Sequence, residues 1–503
     1  MKKSELASKY SERWLPLAAF ALALGLRLLN APYVFVAGAP VISPLDELYH
    51  WKRMSFSALH FPRVLELDPD RGDGGAFCPW PPLYDLAAGG AARLLGARDA
   101  DGVLARVVWF PPLLFAAFVA AVVAVLARAR GALTAIAAGS ALAASPFLVT
   151  TSWIGSIDHH YLEPVLTFAI LGATLAVRRW PLAGGAMLCL ALIASMFVQT
   201  ALVIAAALAF AVLFFFSSSS RAGALAFGIA AAVIALYRLT RPPGYPNTQW
   251  FLGWTHAALL AAAAVALLFP RRVIGLALGA LVTAPVLPHL IQGAHFLGGD
   301  PWLRTISEFQ PIWRARGQDL LSIVVGLGAG AILVWRSVGA GFSRHRPAKA
   351  GLSTEAVVAV FAIAYLVLTI SSRRFWIIAI PLLALAGALV AGKRVVLALL
   401  VAIPPPLQLA GWLMTPMPPV APNMQRWTEV ARQLRNQPPG RVLAQWSVGH
   451  TLDVIGGHAV IIDNFGSMPD PALFDAANAA LAGRDLEGFC RRHKVRYVIR
   501  DVR

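Results

Sequence analysis

The sequence predicts a polytopic α-helical membrane protein of about thirteen spans, closed by a small C-terminal α/β unit outside the bilayer. Three observations carry that expectation. The 503 residues are 58% hydrophobic and only 14% charged, with a mean hydropathy of +0.66, too apolar for an ordinary soluble chain. The apolar residues fall into runs that approach the ~20 residues a helix needs to cross hydrocarbon. Basic residues, finally, recur at every second connection between these runs.

The runs lie at roughly 14–30, 107–127, 131–150, 164–177, 181–197, 199–216, 222–237, 252–269, 273–291, 320–336, 353–370, 375–391 and 395–413. The first follows Lys2, Lys3, Lys9 and Arg13 and has no clear small-residue cleavage site after it, so it reads as an uncleaved span. With the amino terminus in the cytoplasm, the inner connections hold Arg128 and Arg130, Arg178 and Arg179, Arg221, Arg271 and Arg272, then Arg336, Arg344, Arg346 and Lys349, and finally Lys393 and Arg394. Every inner loop is basic, as the positive-inside rule asks. The net charge of +18 thus points to anionic lipid headgroups of the bilayer and not to nucleic acid. This places an inner-membrane protein with residues 1–413 in the membrane domain and outer loops at about 31–106, 151–163 and 292–319.

The tail, 414–503, is expected to be an extracytoplasmic domain. A linker, Thr415-Pro416-Met417-Pro418-Pro419, opens it. Helical patterns at Trp427 to Leu434, Pro471 to Leu481 and Leu486 to His493 alternate with apolar runs at 441–446 and 459–462 and a closing strand at 495–499, the pattern of a compact α/β unit. Cys78, Cys189 and Cys490 lack metal-type spacing, and a Cys78–Cys490 disulfide stays open. The chain has no internal repeat.

Three polar clusters interrupt the apolar pattern: Asp46-Glu47-Leu48-Tyr49-His50, Ser156 to Pro164 with Asp158-His159-His160, and Thr305-Ile306-Ser307-Glu308-Phe309-Gln310. Each alone reads as a solvated loop, yet the span count puts all three on the outer face, beside Arg373-Arg374. Asp46, Asp158, His160 and Glu308 offer hard oxygens and one imidazole, a set suited to Mn²⁺ or Mg²⁺. In an extended Asp158-His159-His160, alternate side chains point the same way, so Asp158 and His160 would share an ion while His159 turns elsewhere. Arg373 and Arg374 either snorkel to headgroups or present a phosphate-binding fork.

Taken together, these residues make the chain similar to the catalytic subunit of the oligosaccharyltransferases, the single-subunit bacterial and archaeal enzymes of the GT-C class of membrane glycosyltransferases. Asp46 with Tyr49-His50 and Arg53 resembles the first acidic motif, and Asp158-His159-His160 with Glu163 resembles the second in its archaeal form. Thr305-Ile306-Ser307-Glu308 matches the external-loop motif T-I-x-E, and Arg374-Phe375 followed by Pro381 resembles the segment whose Arg contacts pyrophosphate. Gln445-Trp446-Ser447-Val448-Gly449-His450 stands where that family carries W-W-D-Y-G.

The resemblance implies inverting transfer of a glycan from a polyprenyl-diphosphate carrier to an acceptor polypeptide, at asparagine. By position, Asp46, Asp158, His160 and Glu308 would hold the metal, and Asp46 and Glu308 would act as catalytic carboxylates on the acceptor. Arg374 would bind the donor diphosphate, with Trp446 and Ser447 at the acceptor. Replacement of the motif's first Trp, Asp and Tyr by Gln445, Ser447 and Val448 leaves Asn-x-Ser/Thr recognition open, and with it an O-linked or non-protein acceptor. Three competing readings remain: a GT-C transferase using a polyprenyl-phosphate sugar, a lipid-linked glycan transporter, and a non-catalytic homologue. A transporter would want its charged sites near the bilayer midplane; here the candidates lie in outer loops. There is no P-loop or Rossmann fingerprint.

Overall fold

A computed structural model describes residues 3–216, 220–291, 306, 309–311, 353–392, 394–413 and 422–500. Among the described residues, eight helices are long and apolar enough to cross a membrane, or nine if the bent pair Ala132–Ala144 and Pro146–Ser152 counts as one span. Shorter apolar helices, Trp14–Arg27, Thr200–Phe216 and Trp254–Leu268, stand at three further expected positions. The run at 320–336 lies outside the described residues.

Many helices pack on their neighbours in sequence, and Ala132–Ala144 also packs on Trp376–Ala391 and Val395–Ala402, around one main apolar core. Small residues set the closest approaches. Gly275 and Gly279, one turn apart on Arg272–Thr283, face Ala266 and Ala262 of Trp254–Leu268, and a Cβ at Gly275 would come within 2.6 Å of the Ala266 carbonyl oxygen. This is the small-xxx-small contact by which helices in lipid gain van der Waals packing. The outer surface is apolar as well: Leu190, Leu225, Leu281 and Val396 are each more than 60% exposed, as lipid contact allows.

The bend between Ala144 and Pro146 positions the site. Proline has no N–H for the helix ladder and its ring clashes with the preceding turn, so the helix breaks there, by 59°. Arg27, fully buried, fills the break: Nε donates to Ser152 Oγ (2.6 Å), and one terminal nitrogen donates to the carbonyls of Ala23 (2.9 Å) and Ala143 (3.0 Å). The chain leaving the bend is then pinned, Ile154 N to Arg27 O (3.0 Å) and Gly155 N to Val108 O (3.2 Å). It reaches Asp158 three residues later. Helix Leu162–Arg179 starts beside the site and runs about 27 Å to Arg178-Arg179, so its basic end and the polar cluster lie at opposite ends of a span.

Residues 422–500 hold helices Pro422–Arg435, Gly449–Val454, Pro471–Leu481 and Leu486–Arg492, with strand Arg441–Leu443 paired in parallel to Val495–Val498. The run at 459–462 forms no strand of its own and contributes two isolated bridges, Val460 to Val442 and Val460 to Arg71. This segment sits on the connection between the first two apolar helices. Arg71 donates through two guanidinium nitrogens to Asp463, Thr451 Oγ1 donates to Pro44 O (2.7 Å), and Gly72 N donates to Val460 O (2.9 Å). The three cysteines are free thiols: Cys78 is buried with Tyr49 and Phe465, and no Cys78–Cys490 bridge forms.

Lys52 Nζ lies 2.9 Å from both oxygens of Asp453 and 2.9 Å from Asp68 Oδ2. Burial pushes the Asp453 carboxyl up to about 7, with Lys52 pulling against it and Asp68 adding to it. A carboxyl whose folded pKa exceeds its unfolded one costs stability as pH rises between the two values. Asp453→Asn is therefore expected to melt at the wild-type temperature near pH 4 and above it at pH 8, read by thermal unfolding in detergent.

Candidate functional site

Helix Asp46–Leu59 carries Asp46, His50 and Arg53 one turn apart, on one face. Opposite it, a single 3₁₀ turn, His159–Tyr161, follows Asp158 and leads into Leu162–Arg179, whose first turn holds Glu163. Negative groups suit a helix start, where unpaired N–H groups point outward. A second 3₁₀ turn, Arg373–Phe375, brings Arg374 alongside.

Asp158 is the centre of the cluster. Its Oδ2 lies 3.3 Å from His160 Nε2, and its Oδ1 lies 3.0 Å from His159 Nδ1 and 3.4 Å from His50 Nε2. His160 Nδ1 is 2.8 Å from Glu163 Oε1, which also accepts from Arg374 at 3.2 Å. Behind His50, Asp85 Oδ1 lies 2.6 Å from Nδ1, and Arg53 pairs with the other Asp85 oxygen. The His50 ring stacks on Trp80 with centroids 4.0 Å apart.

Burial favours neutral groups here, and charge pairing overrides it. Burial alone would lower the His50 pKa, but Asp85 and Asp158 raise it to about 9. Asp158 is likewise held well below the usual carboxylate range by the imidazoles of His160 and His159, against its burial. Glu47 behaves oppositely: burial, then the Asp158 charge, push its carboxyl up to about 8, with Asp46 adding to the effect.

Asp158, His160 and Arg374 thus meet. His159 does not turn elsewhere, contrary to the alternation expected of an extended segment. Successive residues of a 3₁₀ turn step about 120° around the axis, and His159 and His160 approach different oxygens of one carboxylate. Asp46 stands apart from the tight ligand groups, which among the described residues are His50, Asp158, His159 and His159, His160, Glu163; His450 Nδ1 lies 3.5 Å from its carboxylate. Glu308 and Ser307 lie outside the described residues. Their neighbour Phe309 lies under the Arg374 guanidinium at 5.3 Å, and Gln310 O accepts from Arg373 N (3.0 Å).

Trp446 and Ser447 sit in the 3₁₀ turn Trp446–Val448, both half-buried, and Trp446 packs in the same apolar cluster as Ile306 and Phe309. Gly449, which follows, permits a close approach: a Cβ there would lie 2.4 Å from Asp463 Cα. Asp85, Gln199 and His450 were not legible as site residues. No local pattern marks Asp85 or Gln199, which reach His50 and His159 through tertiary packing, and His450, though it ends the Gln445–His450 segment, meets Asp46 only because the C-terminal segment docks there.

The donors fit a divalent cation. Asp158 Oδ1 is buried and accepts no hydrogen bond of proper geometry despite the two imidazoles beside it, and carboxylate with imidazole is a common ligand pairing for such ions.

No protein-family model and no curated protein matches the sequence. Solved structures do match. The archaeal oligosaccharyltransferase AglB of Archaeoglobus fulgidus, solved in complex with an inhibitory peptide and a dolichol-phosphate, superposes with a TM-score of 0.78 at 16% identity, over 98% of this chain and 69% of that one. The Archaeoglobus fulgidus oligosaccharyltransferase in complex with Zn and sulfate gives 0.70 at 18% identity, over 97% and 68%. The same enzyme tethered to an acceptor peptide containing the NVT sequon gives 0.73 at 17%, over 97% and 69%. At these identities the likeness establishes a shared fold.

Proposed function

We propose that this chain, which has the fold of the archaeal oligosaccharyltransferases, transfers a glycan with inversion from a polyprenyl-diphosphate carrier to an acceptor polypeptide on the outer face of the cell membrane. One observation carries the reading: Asp158, gripped by imidazoles, stands beside an Arg374 guanidinium that Glu163 holds in place. A cation site and a phosphate-binding fork side by side are what a diphosphate leaving group requires. The related fold has been solved with a dolichol-phosphate, with Zn and sulfate, and with an acceptor peptide, which supports the same ligand classes here.

Asp46, Asp158, His160 and Glu308 are the proposed ligands of Mn²⁺ or Mg²⁺, and the bound cation would offset the diphosphate charge as a Lewis acid. Arg374 donates to the departing diphosphate oxygens, oriented by its bond to Glu163. The carboxylates of Asp46 and Glu308 accept the N–H hydrogen bonds of an acceptor amide, weakening the delocalisation that makes its nitrogen a poor nucleophile. The C1–O bond breaks with its electron pair leaving on the diphosphate, C1–N forms from the opposite face, and the amide proton passes to a carboxylate. Trp446 and Ser447 contact the acceptor, with residues 414–503 as a small extracytoplasmic unit. The cytoplasmic amino terminus follows from the basic helix ends.

Incubating purified protein with a peptide and a lipid-linked glycan, then weighing the peptide by mass spectrometry, tests this. Product is expected with a diphosphate donor and not with a monophosphate donor; the reverse would establish the polyprenyl-phosphate reading. Arg374→Ala is expected to lower transfer about 10²- to 10³-fold, the cost of one lost transition-state donor, chiefly in kcat. Arg374→Lys should recover little, because a point charge does not reproduce the planar fork.

A further inference from the structure

The inner side of Asp158 is organised independently of the outer one. His50 Nε2 and His159 Nδ1 are 3.0 Å apart, His159 Nδ1 and Asp158 Oδ1 are 3.0 Å apart, and His50 Nε2 and Asp158 Oδ1 are 3.4 Å apart. Ligand atoms bound tetrahedrally to zinc at about 2.0–2.1 Å stand about 3.3 Å from one another. The three atoms therefore approximate one face of such a tetrahedron.

The atoms behind them are arranged as a metal site requires. Asp85 Oδ1, 2.6 Å from His50 Nδ1, holds a proton on that nitrogen, so a cation that displaces the Nε2 proton meets a lone pair facing Asp158, the carboxylate–histidine arrangement that orients imidazole ligands. The Gln199 side-chain amide lies 2.8 Å from His159 Nε2. As placed, Gln199 Nε2 faces the ring and Oε1 accepts a long bond from Ala201 N (3.4 Å); turning the amide over, an exchange that its symmetry permits, gives up that long bond, lets Oε1 accept from His159 Nε2–H and frees Nδ1 to bind. Asp158 Oδ1 is also buried, and neither imidazole nitrogen beside it, at 3.0 and 3.4 Å, meets it with proper hydrogen-bond geometry. Trp80 stacked on His50 and Tyr84 at its edge wall off this side.

We propose that His50 Nε2, His159 Nδ1 and Asp158 Oδ1 form a second divalent-cation site, selective for Zn²⁺, which shares Asp158 with the transfer site. Two imidazoles and one carboxylate suit zinc, whereas Mg²⁺ and Mn²⁺ favour oxygen-rich sets. Asp158 then bridges, Oδ1 to this cation and Oδ2 on the His160 side, and zinc fixes the first-loop helix against the 3₁₀ turn. The site rests on no assumption about the reaction, because binding is read directly.

The test is X-ray absorption at the zinc edge on full-length protein, stripped of metal and reloaded with one equivalent of Zn²⁺ in millimolar Mg²⁺. Two imidazoles per zinc at about 2.0–2.1 Å are expected. One imidazole or none, or no retained zinc, overturns the proposal and leaves a hydrogen-bonded chain in which His159 donates to His50. In a His160→Ala background, which disables the transfer site, zinc binding should persist. Adding Asp85→Asn should weaken it about 10- to 100-fold, and adding His50→Gln should abolish it. Unchanged affinity in the His50→Gln protein also overturns the proposal. Failure of glycan transfer with two-imidazole ligation intact counts against the transferase reading while supporting this site.

Discussion

Asp158→Asn is expected to reduce glycan transfer by at least about a thousandfold while helix content by circular dichroism stays at the wild-type level. Both Asp158 oxygens face imidazoles, and their charges hold the carboxylate in its ionised form. Asparagine keeps the volume but removes the charge that a cation needs. Chelation of the wild-type protein should produce the same loss, and added Mn²⁺ should restore the wild type but not the variant. Transfer within tenfold of wild type in the Asp158→Asn protein would remove the cation from the mechanism.

Asp463→Ala is expected to have the largest effect on stability. Arg71 and Asp463 are both buried and doubly bonded, and Arg71 also lies over the rings of Tyr49 and Phe465. Removing one partner of a buried pair leaves an uncompensated charge, a cost of about 3–5 kcal/mol. The pair joins the connection after the first apolar helix to the C-terminal segment, so the loss should appear as a lower melting temperature and as faster proteolysis of residues 422–500. Arg71→Met combined with Asp463→Leu should recover most of the stability, because an apolar pair leaves no charge stranded. A single variant as stable as the wild type would show that other contacts, among them Thr451 to Pro44, hold the segment in place.

How much of this was legible in the sequence follows from the range of each interaction. Apolar runs and basic ends are local, and described helices stand where the hydropathy placed them. The same holds for Asp158, His160 and Arg374, which sit at span boundaries where a charge has few ordinary explanations. Three of the C-terminal helices and the closing strand are likewise marked by their own periodicity, whereas Gly449–Val454 is not. What escaped was set by tertiary packing. Asp85 carries no local signature and matters only because helix Leu83–Leu94 packs on Asp46–Leu59. Arg27, within an apolar span, is explained only once the break at Pro146 exposes carbonyls for it to satisfy. His159 was misplaced because a 3₁₀ turn replaces the extended backbone assumed for it. The approach of His450 to Asp46 likewise needs the C-terminal segment docked on the first loop.

The central claim is that residues remote in sequence grip one divalent cation at the outer end of the helix bundle. Anomalous diffraction from Mn²⁺-loaded crystals tests it most directly. The account predicts a manganese peak about 2.0–2.6 Å from Asp158 Oδ2 and His160 Nε2, with the Asp46 carboxylate swung from His450 onto the ion and Glu308 closing the shell. A peak that lacks Asp158, or an Asp46 carboxylate several ångströms from the ion, would contradict it.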